Sequence, residues 1–174
     1  PKRLFGQFLT ELECPYFYFS ERCKPIIMES NFFSMTNSFE TGIEYDNGEI
    51  IKTIPDSIIS FGSMCLYGVD LDYLIVPYGS AWKNYSSFGN LHYSRIKKMY
   101  YNRSDSSDSN LLYFIQDNDN SYVESLYLPN MSSLYGSSRN DTIQKIKNLV
   151  FSSSTPPSSI SNYYGYRNTS TRTI

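Results

Sequence analysis

Short apolar runs punctuated by Gly, Pro, Asn and Ser dominate the chain, and runs of that length and punctuation favour strands over helices. Tyr16-Phe17-Tyr18-Phe19 is aromatic and strand-like, and Ile26-Ile27-Met28 behind Pro25 reads as a second short strand. The most specific local signal lies in Ile43-Glu44-Tyr45-Asp46-Asn47-Gly48-Glu49-Ile50-Ile51. There Asn47-Gly48 supplies the positive φ angles of a type I′ turn, which predicts a β-hairpin. Residues 64–67 and 73–76 are continuously apolar and fit buried strands separated by Gly68-Val69-Asp70, with Pro77 closing the second. Residues 111–115 and 122–128 flank the polar link 116–120 and predict a second hairpin with a longer loop, which Pro129 terminates.

Helical spacing is confined to a few places. Residues 4–13 alternate imperfectly and predict a short helix or an N-terminal arm, ended before Pro15 because a residue preceding proline is pushed out of the α region. Pro55-Asp56-Ser57 opens a helical turn kept short by Gly62 and Gly68. The one convincing helix spans 142–150, where Ile143, Ile146, Leu149 and Val150 recur at three- and four-residue spacing behind Asp141 as the capping residue. From Ser152 onward the Ser/Thr/Pro-rich string has no period and reads as a tail that orders only against a neighbour. No internal repeat stands out at the periods of solenoids or propellers. The expected organisation is a single β-rich domain over residues 1–151 with an N-terminal arm, followed by an extended tail over 152–174.

Composition shifts this picture toward contact surfaces. Charged residues make up 18% of the 174 residues and aromatics 17%, with seventeen Tyr and eleven Phe against one Trp (Trp82) and one His (His92). Solubility therefore falls to uncharged Ser, Asn and Thr, while flat rings suit strand packing and subunit contacts. A net charge of −2 and a pI near 5.4 provide no basic field for phosphates, so nucleic-acid contact is expected to be at most non-specific. The basic run Arg95-Ile96-Lys97-Lys98, beside Tyr100, Tyr101 and Arg103, reads as a solvated strand edge before it reads as a phosphate patch. No apolar run approaches the roughly eighteen residues of a spanning helix, and no membrane partner is expected. Pro1-Lys2-Arg3 lacks a signal-peptide layout and fits a segment released from a longer precursor.

Candidate chemistry is sparse. His92 and Ser94 share a strand face at i and i+2, the only pairing that points to a nucleophile and its base, but no Gly-x-Ser-x-Gly elbow frames the serine. Asp117-Asn118-Asp119-Asn120-Ser121 opens like a calcium loop, yet Tyr122 stands where the loop needs glycine and Leu128 where it needs glutamate. Asp70 and Asp72 share one strand face as a carboxylate pair beside a turn. Cys14, Cys23 and Cys65 show no C-x-x-C spacing and leave one thiol over in any pairing, so buried or incidental thiols are expected, with a Cys14–Cys23 bridge as the alternative. Asn84, Asn102, Asn130, Asn140 and Asn168 begin Asn-x-Ser/Thr sequons. The expectation is a protein that is not an enzyme, with no catalytic, cofactor-binding or metal residues.

Three stretches in order, Phe5-Gly6-Gln7-Phe8-Leu9-Thr10-Glu11-Leu12, Ile54-Pro55-Asp56-Ser57-Ile58-Ile59-Ser60-Phe61 running on to Tyr73, and Val123-Glu124-Ser125-Leu126-Tyr127-Leu128-Pro129, resemble landmarks of picorna-like virus coat proteins of the dicistrovirus, iflavirus and marnavirus kind. The resemblance implies a mainly β fold, an antiparallel β-sandwich of the jelly-roll kind with one or two short helices and extended termini. It also implies a polyprotein product located in the virion, whose partners are other coat subunits in a homo- and hetero-oligomeric shell joined through Tyr-rich contacts. The alternative is a carbohydrate-binding or adhesin-like β-sandwich that stacks sugars on exposed rings, with Tyr100, Tyr101, Tyr163, Tyr164 and Tyr166 as candidates.

Overall fold

The computed structural model describes residues 2–5, 16–33, 39–82, 91, 93–103, 122–130, 146–151 and 171–173. Their strands are β1 (Arg3–Leu4), β2 (Tyr16–Ser20), β3 (Ile27–Met28), β4 (Phe39–Glu44), β5 (Ile50–Ile51) and β6 (Ser60–Phe61), then β7 (Val69–Val76), β8 (Ala81–Trp82), β9 (Arg95–Tyr101), β10 (Tyr122–Leu128), β11 (Ile146–Phe151) and β12 (Thr171–Thr173). From β1 to β9 the described chain alternates between two sheets. β1, β3, β6 and β8 form one, and β2, β4, β7, β9, β10 and β11 form the spine of the other, every one of these pairings being parallel. Up to β9 each turn of the chain thus lays one rung on the small sheet and one on the large sheet, and β10 and β11 extend the large sheet in the same parallel sense, which is a β-solenoid-like winding.

This overturns the antiparallel jelly-roll sandwich. A hairpin needs only a tight turn, whereas parallel neighbours need a long crossover connection. Along the large sheet, Tyr16, Glu40, Asp70, Arg95 and Tyr122 stand in register, so each step from one rung to the next is such a crossover. The crossovers from Tyr16 to Arg95 carry the chain to the small sheet and back, through β3, β6 and β8. The only antiparallel pairings among the described residues are β4 with β5, the hairpin that Asn47-Gly48 predicts, and β11 with β12, which brings residues 171–173 of the expected tail onto the sheet. β10 is flanked by β9 and β11 on its two edges, so it is not half of a hairpin with residues 111–115, which themselves lie outside the described residues. Residues 64–67 form a turn and not a strand.

The predicted helix over 142–150 is also corrected, since residues 146–151 are strand β11. The reason is a feature shared by β7, β9, β10 and β11. In β7, Leu71 and Leu74 are buried with Asp72 and Tyr73 between them; in β9 the pair is Ile96 and Met99 around Lys97 and Lys98. Val123 and Leu126 in β10 and Ile146 and Leu149 in β11 repeat the spacing. A strand points successive side chains to opposite faces, and a kink with two outward residues in a row converts that period into three. Three-residue spacing of buried positions imitates a helix.

The same register exposes a repeat that the unequal crossovers hide from any fixed period. Leu71-x-x-Leu74-x-Val76, Ile96-x-x-Met99-x-Tyr101 and Val123-x-x-Leu126-x-Leu128 are buried at all three positions, and Ile146-x-x-Leu149-x-Phe151 carries the sequence pattern into β11. On the small sheet, Met28, Phe61 and Trp82 stack in line and face the same core. Trp82 meets Tyr101 edge-on at 6.0 Å, tying the two sheets together. Phe17, Phe19, Phe32 and Phe33 close the N-terminal end of the core with mutual ring contacts. Each such side chain removed from water contributes about 1.5–3 kcal/mol, so the stacked interior is what holds the coils together.

One coil is longer than its neighbours. On the small sheet, the step from Ile27 to Ser60 exceeds both the step from Arg3 to Ile27 and the step from Ser60 to Ala81. The surplus is the β4–β5 hairpin, which wedges into the large sheet. β4 pairs directly with β7 only at Phe39 and Glu40; further along, the Lys52 carbonyl accepts the Asp72 amide at 2.7 Å, and Thr53 Oγ1 donates to the Tyr73 carbonyl at 2.8 Å. Gly42 permits the wedge, because a Cβ there would lie 2.6 Å from the Ile51 carbonyl oxygen.

Candidate recognition face

The outward face of the large sheet is built from the residues that the kinked pattern turns away from the core. In-register stacking sorts them into rows. The first holds Tyr16, Glu40, Asp70, Arg95 and Tyr122. The second includes Asp72 and Lys97 on adjacent strands, then Glu124 and Lys147. Opposite charges meet across strands in both rows: Arg95 binds Asp70 at 2.9 Å, Lys97 binds Asp72 at 2.6 Å, and Lys147 binds Glu124 at 3.3 Å. The Asp72 carboxylate accepts a hydrogen bond from Lys97 and raises its ammonium pKa. Tyr18 donates to Glu40 at 2.9 Å, and that bond raises the phenol's pKa. These pairs are exposed, and their part is to balance charge and fix register more than to add stability. In the third row Tyr73, Lys98, Ser125 and Asn148 are in register, and Asn148 Nδ2 donates to Ser125 Oγ at 3.0 Å.

The fourth row is different in kind. Ile75, Tyr100, Tyr127 and Val150 stand in register on β7, β9, β10 and β11. All four are half-buried and turned away from the core. The rings of Tyr100 and Tyr127 stack at 4.6 Å with planes 14° apart. This is a continuous aromatic and aliphatic strip beside rows of neutralised charge.

Where the strip reaches β7, a cleft of about 140 Å³ opens between the sheet and the inserted hairpin. Tyr45, Tyr73 and Ile75 line it, together with Glu21, Lys24 and Asp56. Burial pushes the Tyr73 phenol up, and the nearby Tyr45 and Asp56 add to the effect.

The residues singled out from the sequence fall differently. Ser94 is buried and structural: its hydroxyl donates to the Leu66 carbonyl at 2.5 Å and accepts the Val69 amide at 3.2 Å. His92 lies outside the described residues, as do residues 117–121 of the calcium-like loop. Asp70 and Asp72 do share a face, but each is held by a cation from β9. Those same pairs occupy Arg95 and Lys97 of the basic run, while Ile96 points into the core. Tyr101 is buried, so of the described sugar-stacking candidates Tyr100 faces outward; Tyr163, Tyr164 and Tyr166 lie outside the described residues. Cys23, half-buried, and Cys65, buried, are not in disulfides, and Cys14 is outside the described residues. Asn130 Nδ2 donates to the Asn102 carbonyl at 2.7 Å, which places two of the sequons side by side beyond the ends of β10 and β9; the other three are outside the described residues. Among the described residues no group of three or more His, Cys, Asp or Glu could hold a metal ion, and no helix is long and apolar enough to cross a membrane. The strip of Ile75, Tyr100, Tyr127 and Val150 has no signature in any single segment, because its members come from successive coils and meet only through the parallel register.

No protein-family model, no curated protein and no solved structure matches the chain.

Proposed function

We propose that this β-solenoid is a recognition module that holds a protein partner on the outward face of its large sheet and carries out no chemistry of its own. The observation that supports it is the outward strip of Ile75, Tyr100, Tyr127 and Val150 beside rows of paired charges. Stacked tyrosines offer large, rigid contact area at low entropic cost, and contact energy concentrates in such aromatic centres. The flanking ion pairs provide the polar rim that such centres have. Solenoids use extended sheet faces in this way because neighbouring coils repeat the same geometry. The coat-subunit expectation rested on three short stretches of sequence, and the jelly-roll fold it implied is replaced by the parallel sheets.

The test is a selection of displayed random peptides on the immobilised full chain, scored against two variants. Tyr100→Asp/Tyr127→Asp disrupts the strip, and Ile59→Asp alters an exposed residue beside the small sheet. Enriched peptides are expected to lose at least tenfold in affinity for the strip variant and to keep it for the Ile59 variant, with both variants retaining the β-sheet circular dichroism of the parent. Binders indifferent to the strip substitutions would overturn the reading.

A further inference from the structure

The cleft beside the strip differs from the rest of the face in its charge balance. On β7 to β11 every acid of the face stands opposite a cation, in three pairs, and Glu29 with Arg3, Glu40 with Lys52 and Asp46 with Arg22 do the same elsewhere, while Glu44 and Glu49 at the β4–β5 hairpin have no ion pair among the described residues. Glu21 and Asp56 line the cleft with Lys24 and have no ion pair among the described residues, nor is Lys24 within bonding distance of either. Two carboxylates against one ammonium leave the lining net negative. Tyr45 and Tyr73 add ring faces, whose negative quadrupole attracts a cation. Ile75 belongs both to the cleft and to the strip, so a ligand lying along the strip reaches the cleft without a break.

We infer that the cleft is a specificity pocket for the basic side chain of a bound peptide, a guanidinium or ammonium on an apolar stem. This rests on the recognition reading above. The size agrees: a cavity of about 150 Å³ holds one benzene-sized group, which is the scale of a guanidinium with its neighbouring methylenes. The stem lies against Ile75 and the tyrosine rings, and the head is left to Glu21 and Asp56 for charge-assisted hydrogen bonds. The hairpin that wedges apart β4 and β7 is what creates the pocket, so the coil lengthened by that hairpin is the one that carries specificity.

The peptide selection supplies the test when repeated with Glu21→Gln/Asp56→Asn, both replacements being isosteric and on the surface. On the parent chain, Arg or Lys is expected to be enriched at one fixed position. Replacing that Arg by citrulline, which keeps the shape and removes the charge, is expected to weaken binding at least tenfold, and the acid-to-amide variant is expected to lose both effects. In a second arm, agmatine is expected to shift the Tyr73 ring resonances of the parent and leave those of the variant unmoved. Peptides that need the Tyr100 and Tyr127 strip but show no basic preference would overturn the pocket and leave the face intact. Basic enrichment that survives in the acid-to-amide variant would also overturn it. Agmatine binding without any basic preference among peptides would overturn the peptide assignment and give the cleft to free amines. Peptides indifferent to both strip and cleft would sink the two readings together.

Discussion

At the scale of single residues, the structure reverses the meaning of several side chains. Ser94, the one serine placed to be a nucleophile, is a buried bridge between the Leu66 carbonyl and the Val69 amide. A nucleophile can be removed with little effect on stability; a bridge cannot, because its loss strands a buried amide. Ser94→Ala is therefore expected to destabilise the fold by about 1–3 kcal/mol, read as a lower midpoint in urea at unchanged slope. Cys65 shows a similar reversal. Burial pushes its thiol pKa well above the ordinary 9.0. The native state keeps a proton that the unfolded chain gives up, so the stability from this site is complete below about pH 9 and declines as pH rises beyond it. The expected result is a melting temperature that falls as pH rises above about 9, with a shallower fall in Cys65→Ala whatever its absolute stability. In native protein a thiol reagent should reach half-buried Cys23 and spare Cys65 until unfolding. None of this is visible in sequence, where a serine two places from a histidine and a lone thiol look alike whether buried or exposed.

At the scale of elements, legibility depended on whether the deciding contact was local. The β4–β5 hairpin was readable because Gly48 carries a local instruction, a φ of 82°, but the turn is not the expected type I′: Asn47 has no positive φ, and a three-residue loop closes with the Gly48 amide on the Tyr45 carbonyl at 2.8 Å and the Tyr45 amide on the Glu49 carbonyl at 2.9 Å. Strand β11 was not readable, since its kink gives Ile146 and Leu149 the spacing of a helix face and only the neighbouring rungs show otherwise. The candidate site divides the same way. Tyr100 could be named from sequence as an outward aromatic, but its partnership with Tyr127 depends on a register set across a whole coil. The hairpin offers a test at this scale. A β-branched residue in the left-handed region costs about 1–2 kcal/mol, so Gly48→Val is expected to loosen the hairpin without unfolding the solenoid. Hydrogen exchange should accelerate at the Asp72 amide, which is bonded to Lys52 beyond the hairpin, while the amides joining β9 to β10 stay protected. Uniform acceleration across both sites would mean the hairpin is integral to the coil and not an excursion from it.

For the molecule as a whole, the parallel winding makes stability additive along the axis. Each rung touches its neighbours and nothing farther, so energy accumulates coil by coil. The strand contacts fit this: β7 pairs with β4 and β9, β10 with β9 and β11, and no described strand pairs across a gap in that order. The ends are unequal. β12 covers the outer edge of β11, whereas the outer edge of β2 carries no strand among the described residues. A chain truncated after Asn130 removes β11 and β12 and leaves rungs β2, β4, β7, β9 and β10 with their core residues in place. It is expected to unfold cooperatively still, with a denaturant slope lowered to roughly three quarters of the parent value in keeping with the smaller surface exposed. The newly bared edge of β10 should make it self-associate at concentrations where the parent does not. An antiparallel sandwich predicts the opposite, because its two sheets share strands from both ends of the chain and lose the whole core when one end is cut. Urea denaturation combined with sedimentation of the truncated chain decides between them: loss of any cooperative transition would refute the solenoid, and a retained transition with concentration-dependent association would place the core in the stacked rungs between Tyr16 and Leu128.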